Sequence, residues 1–178
     1  MKRAVILVAG ALVIAVVLAA GAFFTPGLLY PTLEYESRVA IDLPRSEVWE
    51  KFNDESNMKK WLKGLESIEL VEGERGKPGS RYRLVILNEG ERIEIFETMR
   101  EIRPQDLYSF TLDAEPLVNE VTVLFSDAGG KTEMVQKEAV TGRNIIWRSL
   151  FYWLQSTFRR NAKDNLVNFK KFAEEGRK

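Results

Sequence analysis

The chain has 178 residues, 45% of them apolar and 11% aromatic, with 26 basic and 26 acidic side chains that cancel to a formal net charge of zero at pH 7. That is enough apolar material for the core of one ordinary domain. It has no Cys and no His, which excludes disulfides and thiolate chemistry and removes the commonest general base and metal ligand. Neither a cofactor nor a metal is expected, although a carboxylate-only site for a hard cation is compatible with the composition.

Lys2 and Arg3 precede an uncharged run from Ala4 to Phe24, about the twenty residues that a helix needs to cross hydrocarbon. The run is read as an uncleaved signal anchor. A cleaved signal peptide is the alternative, since Ala20-Gly21-Ala22 fits a small-x-small cleavage site. The positive-inside rule places the amino terminus in the cytoplasm and the rest outside it, as a single-pass anchor or as a secreted domain after cleavage. Thr25-Pro26-Gly27 is expected to end this helix, and Tyr30 falls where an interfacial aromatic sits. Residues 1–31 are therefore anchor and linker, and residues 32–178 one domain.

From Leu33 to Leu43 apolar and polar residues alternate as in a half-buried strand. A short helix follows Pro44, with Ser46 or Asp42 as its cap and Val48, Trp49 and Phe52 as its apolar face; a second short helix spans about Glu55 to Leu62. Six more strands are expected at Glu66–Val71, Arg81–Leu87, Arg92–Ile102, Leu107–Leu112, Val118–Phe125 and Thr132–Val140, separated by turns such as Asn88-Glu89-Gly90. Connections this short imply an antiparallel meander.

The last stretch, from Asn144 to Glu175, contains no Pro or Gly. Trp147, Leu150/Phe151, Leu154, Phe158, Ala162, Leu166, Phe169 and Ala173 recur at helical spacing. The reading is one continuous helix about 45 Å long, capped by Asn144 and stopped by Gly176. From Arg143 onward nine basic residues face three acidic ones, a net +6, read as a solvated helix face or as a surface for anionic headgroups. Nucleic acid is not an expected partner, because the body between the termini is acidic and carries no binding motif.

The expected fold is α+β: a seven-stranded antiparallel curved sheet gripping a long C-terminal helix, with two short helices after the first strand and one N-terminal transmembrane helix. A meander needs its apolar face covered, and the terminal helix is the element long and apolar enough to do so. A cavity between sheet and helix is the expected consequence.

This pattern resembles the START-like, helix-grip superfamily (the SRPBCC grouping, with its polyketide cyclase/dehydrase-like proteins and lipid-transfer domains). Three passages between about Tyr35 and Phe172 carry the resemblance. The first is Pro44-x-Ser46-x-Val48-Trp49 after the first strand. The second is Met58-x-x-Trp61-x-x-Gly64-Leu65-x-Ser67-Ile68-Glu69-Leu70, followed by Gly76-x-Pro78-Gly79-Ser80-x-Tyr82. The terminal helix is the third. The resemblance implies that Trp147, Leu150, Phe151 and Leu154, in the first half of that helix, face a cavity. Trp61 at its mouth and Tyr82, Phe96, Phe110, Phe125 and Met134 on the strands are its other candidate lining residues, with plain core packing as the alternative for each. Tyr152, Trp153 and Phe158 cannot all share the buried face with Trp147 and Phe151; an exposed Trp153 beside Arg148, Arg159 and Arg160 reads as an interfacial contact, and simple exposure or a dimer contact is as good a reading.

No catalytic residue is assigned. Tyr82, Tyr108, Glu94, Glu97, Arg83 and Arg92 are the titratable candidates, but charge alternation on a solvent-facing strand explains the Glu and Arg residues without any function. The expected function is noncatalytic binding of a hydrophobic small molecule or lipid by a membrane-anchored, extracytoplasmic domain. The alternatives are a cyclase/dehydratase-type enzyme, which a buried, paired carboxylate or a Tyr projecting into the cavity would favour, and a ligand-free protein-interaction module. Oligomeric state is not legible.

Overall fold

The computed structural model describes residues 2–88 and 90–175. Among these residues seven strands, β1 (Thr32–Ile41), β2 (Leu65–Glu72), β3 (Arg81–Asn88), β4 (Glu91–Arg103), β5 (Leu107–Ala114), β6 (Leu117–Asp127) and β7 (Thr132–Gly142), form one sheet in the order β1-β7-β6-β5-β4-β3-β2. Every neighbouring pair is antiparallel. β2 to β7 are a meander, as their short connections dictate, and β1 closes on the far side of β7 with Tyr35 opposite Glu138. Register shifts in β2 and between Met99 and Glu101 in β4 bend the ribbon, because a bulge adds a residue to one strand only. Gly64, at φ +81, turns the chain into β2; a Cβ there would stand 2.4 Å from the Leu87 carbonyl oxygen, so only glycine fits.

Five α-helices lie among the described residues. α1 (Lys2–Leu29) precedes the sheet. α2 (Arg45–Asn53) starts at Pro44 with no side-chain cap, so neither Ser46 nor Asp42 has the expected role; the ring of Pro44 fixes the start of the helix instead. A 3-10 turn at Glu55–Asn57, capped by Asp54, leads into α3 (Met58–Trp61). The expected single terminal helix is two: α4 (Ile145–Trp153) and α5 (Gln155–Glu174), interrupted at Leu154, whose φ of −95 and ψ of 10 leave the helical region. The break has a packing reason. α4 leans on β7 and on α1, whereas α5 crosses β1 and meets α2 and α3; one straight cylinder cannot serve both surfaces. Asn144 does cap α4, its Oδ1 accepting from the Ile146 and Trp147 amides at 3.0 and 3.2 Å. Gly176, Arg177, Lys178 and the turn residue Glu89 lie outside the described residues.

Ile41, Val48, Val123, Phe125, Met134, Leu166 and Phe169 form the main core under α2 and α5. Tyr35, Val140, Phe151 and Ala162 form a second cluster at the β1 edge, and Leu65, Tyr82, Leu84 and Met99 a third at the β2–β4 end.

α1 runs through Pro26 instead of stopping there. Its final turn survives because Tyr30 N–H still reaches the Pro26 carbonyl at 2.8 Å, and the Thr25 hydroxyl bonds back to Gly21 O at 2.7 Å. The segment Ala9–Leu29 is long and apolar enough to cross a membrane, a criterion that a signal sequence also meets. The end of α1 packs on α4: Trp153 Nε1 donates to Phe23 O at 3.4 Å, the Tyr30 and Tyr152 rings stack at 5.5 Å, and Gly27 sits so close that a Cβ would lie 2.6 Å from the Ser149 backbone nitrogen. Gly27→Leu is therefore expected to force α1 off α4. Hydrogen exchange of α4 amides in the full-length chain, held in lipid nanodiscs, should rise by about tenfold or more, as loss of roughly 1.4 kcal/mol of protection implies; unchanged exchange would show that this contact does not hold the two helices together.

Candidate ligand-binding cavity

The concave face of the sheet is built by every second residue of each strand. Leu84 and Ile86, Ile95, Tyr108 and Phe110, and Val121 and Val123 carry most of its apolar surface. α5 lies across it, and Phe52, Met58 and Trp61 close one end. Between these walls is a cavity of about 250 Å³, just below the roughly 300–1,000 Å³ usual for small-molecule pockets.

Several polar residues share the inward parity. Glu138 of β7 is the centre of one group: its Oε2 accepts from the Tyr35 hydroxyl at 2.8 Å and from Asn119 Nδ2 at 2.7 Å, and its Oε1 from Gln136 Nε2 at 2.6 Å. Burial, reinforced by the Glu138 charge, pushes the Tyr35 phenol far above its ordinary range. Asn119 is 8% exposed, and its Oδ1 has no hydrogen-bond partner among the described residues; Trp61 Nε1 is likewise buried and unpaired among them. An unmet buried polar atom costs about 1–3 kcal/mol. Asn161 and Asn165, one turn apart on α5, line the same cavity from the helix side. Among the described residues no Lys or Arg lines the cavity.

The second group is Glu97 with Tyr108. Glu97 is 5% exposed and lies on the wall of the cavity. Burial, and secondarily the nearby Glu55 charge, pushes its carboxyl from 4.5 up to about 7. Burial and then the Glu97 charge push Tyr108 well above the ordinary phenol range; its hydroxyl meets Met99 Sδ at 3.3 Å.

Of the residues expected to line a pocket, Trp61 and Phe110 stand on the cavity wall. Tyr82, Phe125 and Met134 are inward but packed into the core beside it, with Tyr82 also accepting from Gly76 N–H at 3.1 Å. Phe96 is on the convex face, where the Arg81 guanidinium covers its ring at 4.3 Å; it alternates with Glu97, so one of the two must point outward. Trp147, Leu150, Phe151 and Leu154 belong to α4 and the break after it, and they do not line the cavity. Phe158, Ala162 and the two Asn residues of α5 cover it instead. The shift follows from the break at Leu154: Trp147 and Phe151 pack with Tyr35 and Val140 at the β1 edge, and Tyr152 and Trp153 turn toward α1.

Arg83, Arg92 and Glu94 are in exposed ion pairs on the convex face, where such pairs contribute little. Glu97 is not solvent-facing, contrary to the charge-alternation reading. Its signal was in the sequence: it is two residues from both Ile95 and Met99, on their side of β4. Asn119, two before Val121, and Glu138, two before Val140, carry the same mark. Around α4, Arg148 Nε donates to Gly142 O at 3.0 Å and Trp153 is 55% exposed. Arg159 sits over the Tyr35 ring at 5.6 Å and donates to Glu34 O at 3.3 Å, and Arg160 is exposed.

A seven-stranded antiparallel sheet wrapped over a C-terminal helix, with two small helices after β1 and a cavity between, defines a START-like, helix-grip domain. The chain belongs to the polyketide cyclase / dehydrase and lipid transport family, whose model matches residues 32–174. Solved structures of the same fold include TTHA0849 from Thermus thermophilus, 22% identical over 79% of this chain and 97% of that one with a TM-score of 0.66. The ZhuI aromatase/cyclase from Streptomyces sp. R1128 is 16% identical over 83% and 96%, with a TM-score of 0.69. Ara h 8.0201 is 13% identical over 80% and 97%, with a TM-score of 0.65. No curated protein sequence matches the chain.

Proposed function

We propose that residues 32–178 form a domain that binds a hydrophobic small molecule or lipid without transforming it, and that residues 1–31 hold it at a membrane with the amino terminus cytoplasmic and the domain outside. The observation that carries the reading is the cavity itself, mainly apolar and left open where a fully packed core would close it. Apolar burial would supply the affinity, at about 25 cal/mol per Å² removed from water. The small volume favours a compact occupant, a single chain or fused rings, over a two-chain lipid. Support for the membrane setting comes from the length and apolarity of α1 and from Lys2-Arg3 at its start. Native mass spectrometry of the full-length chain, released from nanodiscs, should show a noncovalent apolar adduct. An empty protein that also takes up no hydrophobic fluorescent probe would overturn the reading.

Glu97 favours a second reading. A buried carboxyl on the cavity wall, held near neutrality beside Tyr108, is what proton transfer to a bound substrate requires. A reaction of the cyclase/dehydratase type is the enzyme class that fits, and the ZhuI protein of the same fold is named an aromatase/cyclase.

A further inference from the structure

The polar end of the cavity restricts what can occupy it. Glu138 accepts from three donors, Tyr35, Asn119 and Gln136, so both of its oxygens are engaged as acceptors. The Asn119 amide is therefore fixed with its NH2 toward Glu138; the flipped amide would set oxygen against oxygen. Its Oδ1 is consequently left as an acceptor with no donor among the described residues, in a cavity that Asn161 and Asn165 line from α5. Two carboxyl groups, Glu97 and Glu138, line the cavity, and no basic side chain of the described residues does.

We infer that the ligand carries a neutral hydrogen-bond donor, a hydroxyl or an amide N–H, that seats on Asn119 Oδ1, and that carboxylic acids are rejected. The inference rests on the binding role proposed above and deepens it: the occupant is an apolar alcohol or amide, not a free fatty acid. An acid's anion would enter a cavity that offers two carboxyl groups and no cation, and whose buried unpaired donor, Trp61 Nε1, carries no charge, so its desolvation is poorly compensated. A donor meets an acceptor already buried and oriented, so little ordering remains to be done on binding.

The test uses four probes of one skeleton: naphthalene, 2-methoxynaphthalene, 2-naphthol and 2-naphthoate. They are titrated calorimetrically into the full-length chain in lipid nanodiscs, with the heats from empty discs subtracted. 2-Naphthol should bind about tenfold more tightly than either naphthalene or the methyl ether, as one recovered hydrogen bond implies, and 2-naphthoate should not bind. Asn119→Leu should abolish the 2-naphthol preference and leave naphthalene binding intact, which also reports an intact cavity. Equal binding of the three neutral probes, naphthoate binding that matches naphthol, or a preference that survives in Asn119→Leu would overturn the donor site while the binding role stands. Failure of all four to bind removes both. Should Asn119→Leu not fold, the wild-type series decides by itself.

Discussion

Phe169→Ala is expected to destabilise the domain by about 3–5 kcal/mol, the usual cost of truncating a fully buried Phe. Phe169 has no solvent exposure. Its ring meets Phe52 edge-on at 5.3 Å and Trp61 at 5.2 Å, and Phe52 continues the chain of rings to Phe125 and Tyr108. Edge-to-face pairs of this kind add about 0.5–1.5 kcal/mol each beyond area. The residue thus ties α5 to α2 and α3, and it supports the two aromatic side chains that close one end of the cavity. Domains of this size have about 5–15 kcal/mol in all, so the variant should unfold at much lower urea, followed by tryptophan fluorescence of the full-length chain in nanodiscs. Phe169→Leu should lose less, because it keeps most of the volume. A loss under about 1 kcal/mol for the alanine variant would mean that the helices collapse onto the space without cost.

Glu97→Gln should act in the opposite direction, increasingly as pH rises from 4.5 through 7. In the fold the Glu97 carboxyl holds its proton up to about pH 7, against an ordinary value of 4.5. The folded state thus binds the proton more tightly than the unfolded chain, so the stabilising contribution is complete below pH 4.5 and is lost as pH rises through 7. Between these limits the change amounts to roughly 3 kcal/mol, at about 1.36 kcal/mol per pH unit. Gln carries no charge and nearly the same shape. Urea melts of wild type at about pH 5 and pH 8, on either side of the folded-state titration, should therefore differ by most of this amount from Glu97, and the variant's profile should be flatter by as much. Parallel profiles for the two proteins would show that Glu97 is ionised and solvated at no cost, and would remove the support for its acid–base role.

The strands were legible because period-2 alternation and Gly, Pro and Asn turn signals agree at each boundary, and all seven fall within a few residues of where alternation puts them. The break at Leu154 was not, since the helical stripe continues through it unchanged; where each half of a helix docks is a tertiary matter. The same break moved the cavity from Trp147 and Phe151 to Phe158, Ala162, Asn161 and Asn165. On the sheet, Trp61 and Phe110 could be read as inward by apolar character. Tyr35, Glu97, Asn119 and Glu138 could have been found by parity alone, but charge and polarity argue for solvent when taken residue by residue. A polar side chain on the apolar register of a strand is the sequence trace that a cavity with specific chemistry leaves.

The union of α1 with α4 bears on transport. Only Tyr30 and Pro31 separate α1 from β1, and the last turns of α1 are locked by Gly27, Trp153 and Tyr30 against a helix of the domain itself. With α1 in a bilayer, the domain has neither tether nor swivel. It cannot ferry cargo across an aqueous gap as a soluble carrier does. Under the anchored binding role proposed above, such a protein is a fixed berth: its occupant would arrive from the adjacent leaflet or from a partner that comes to it, and exchange would be governed by lateral encounter in the membrane plane instead of by diffusion of the loaded protein.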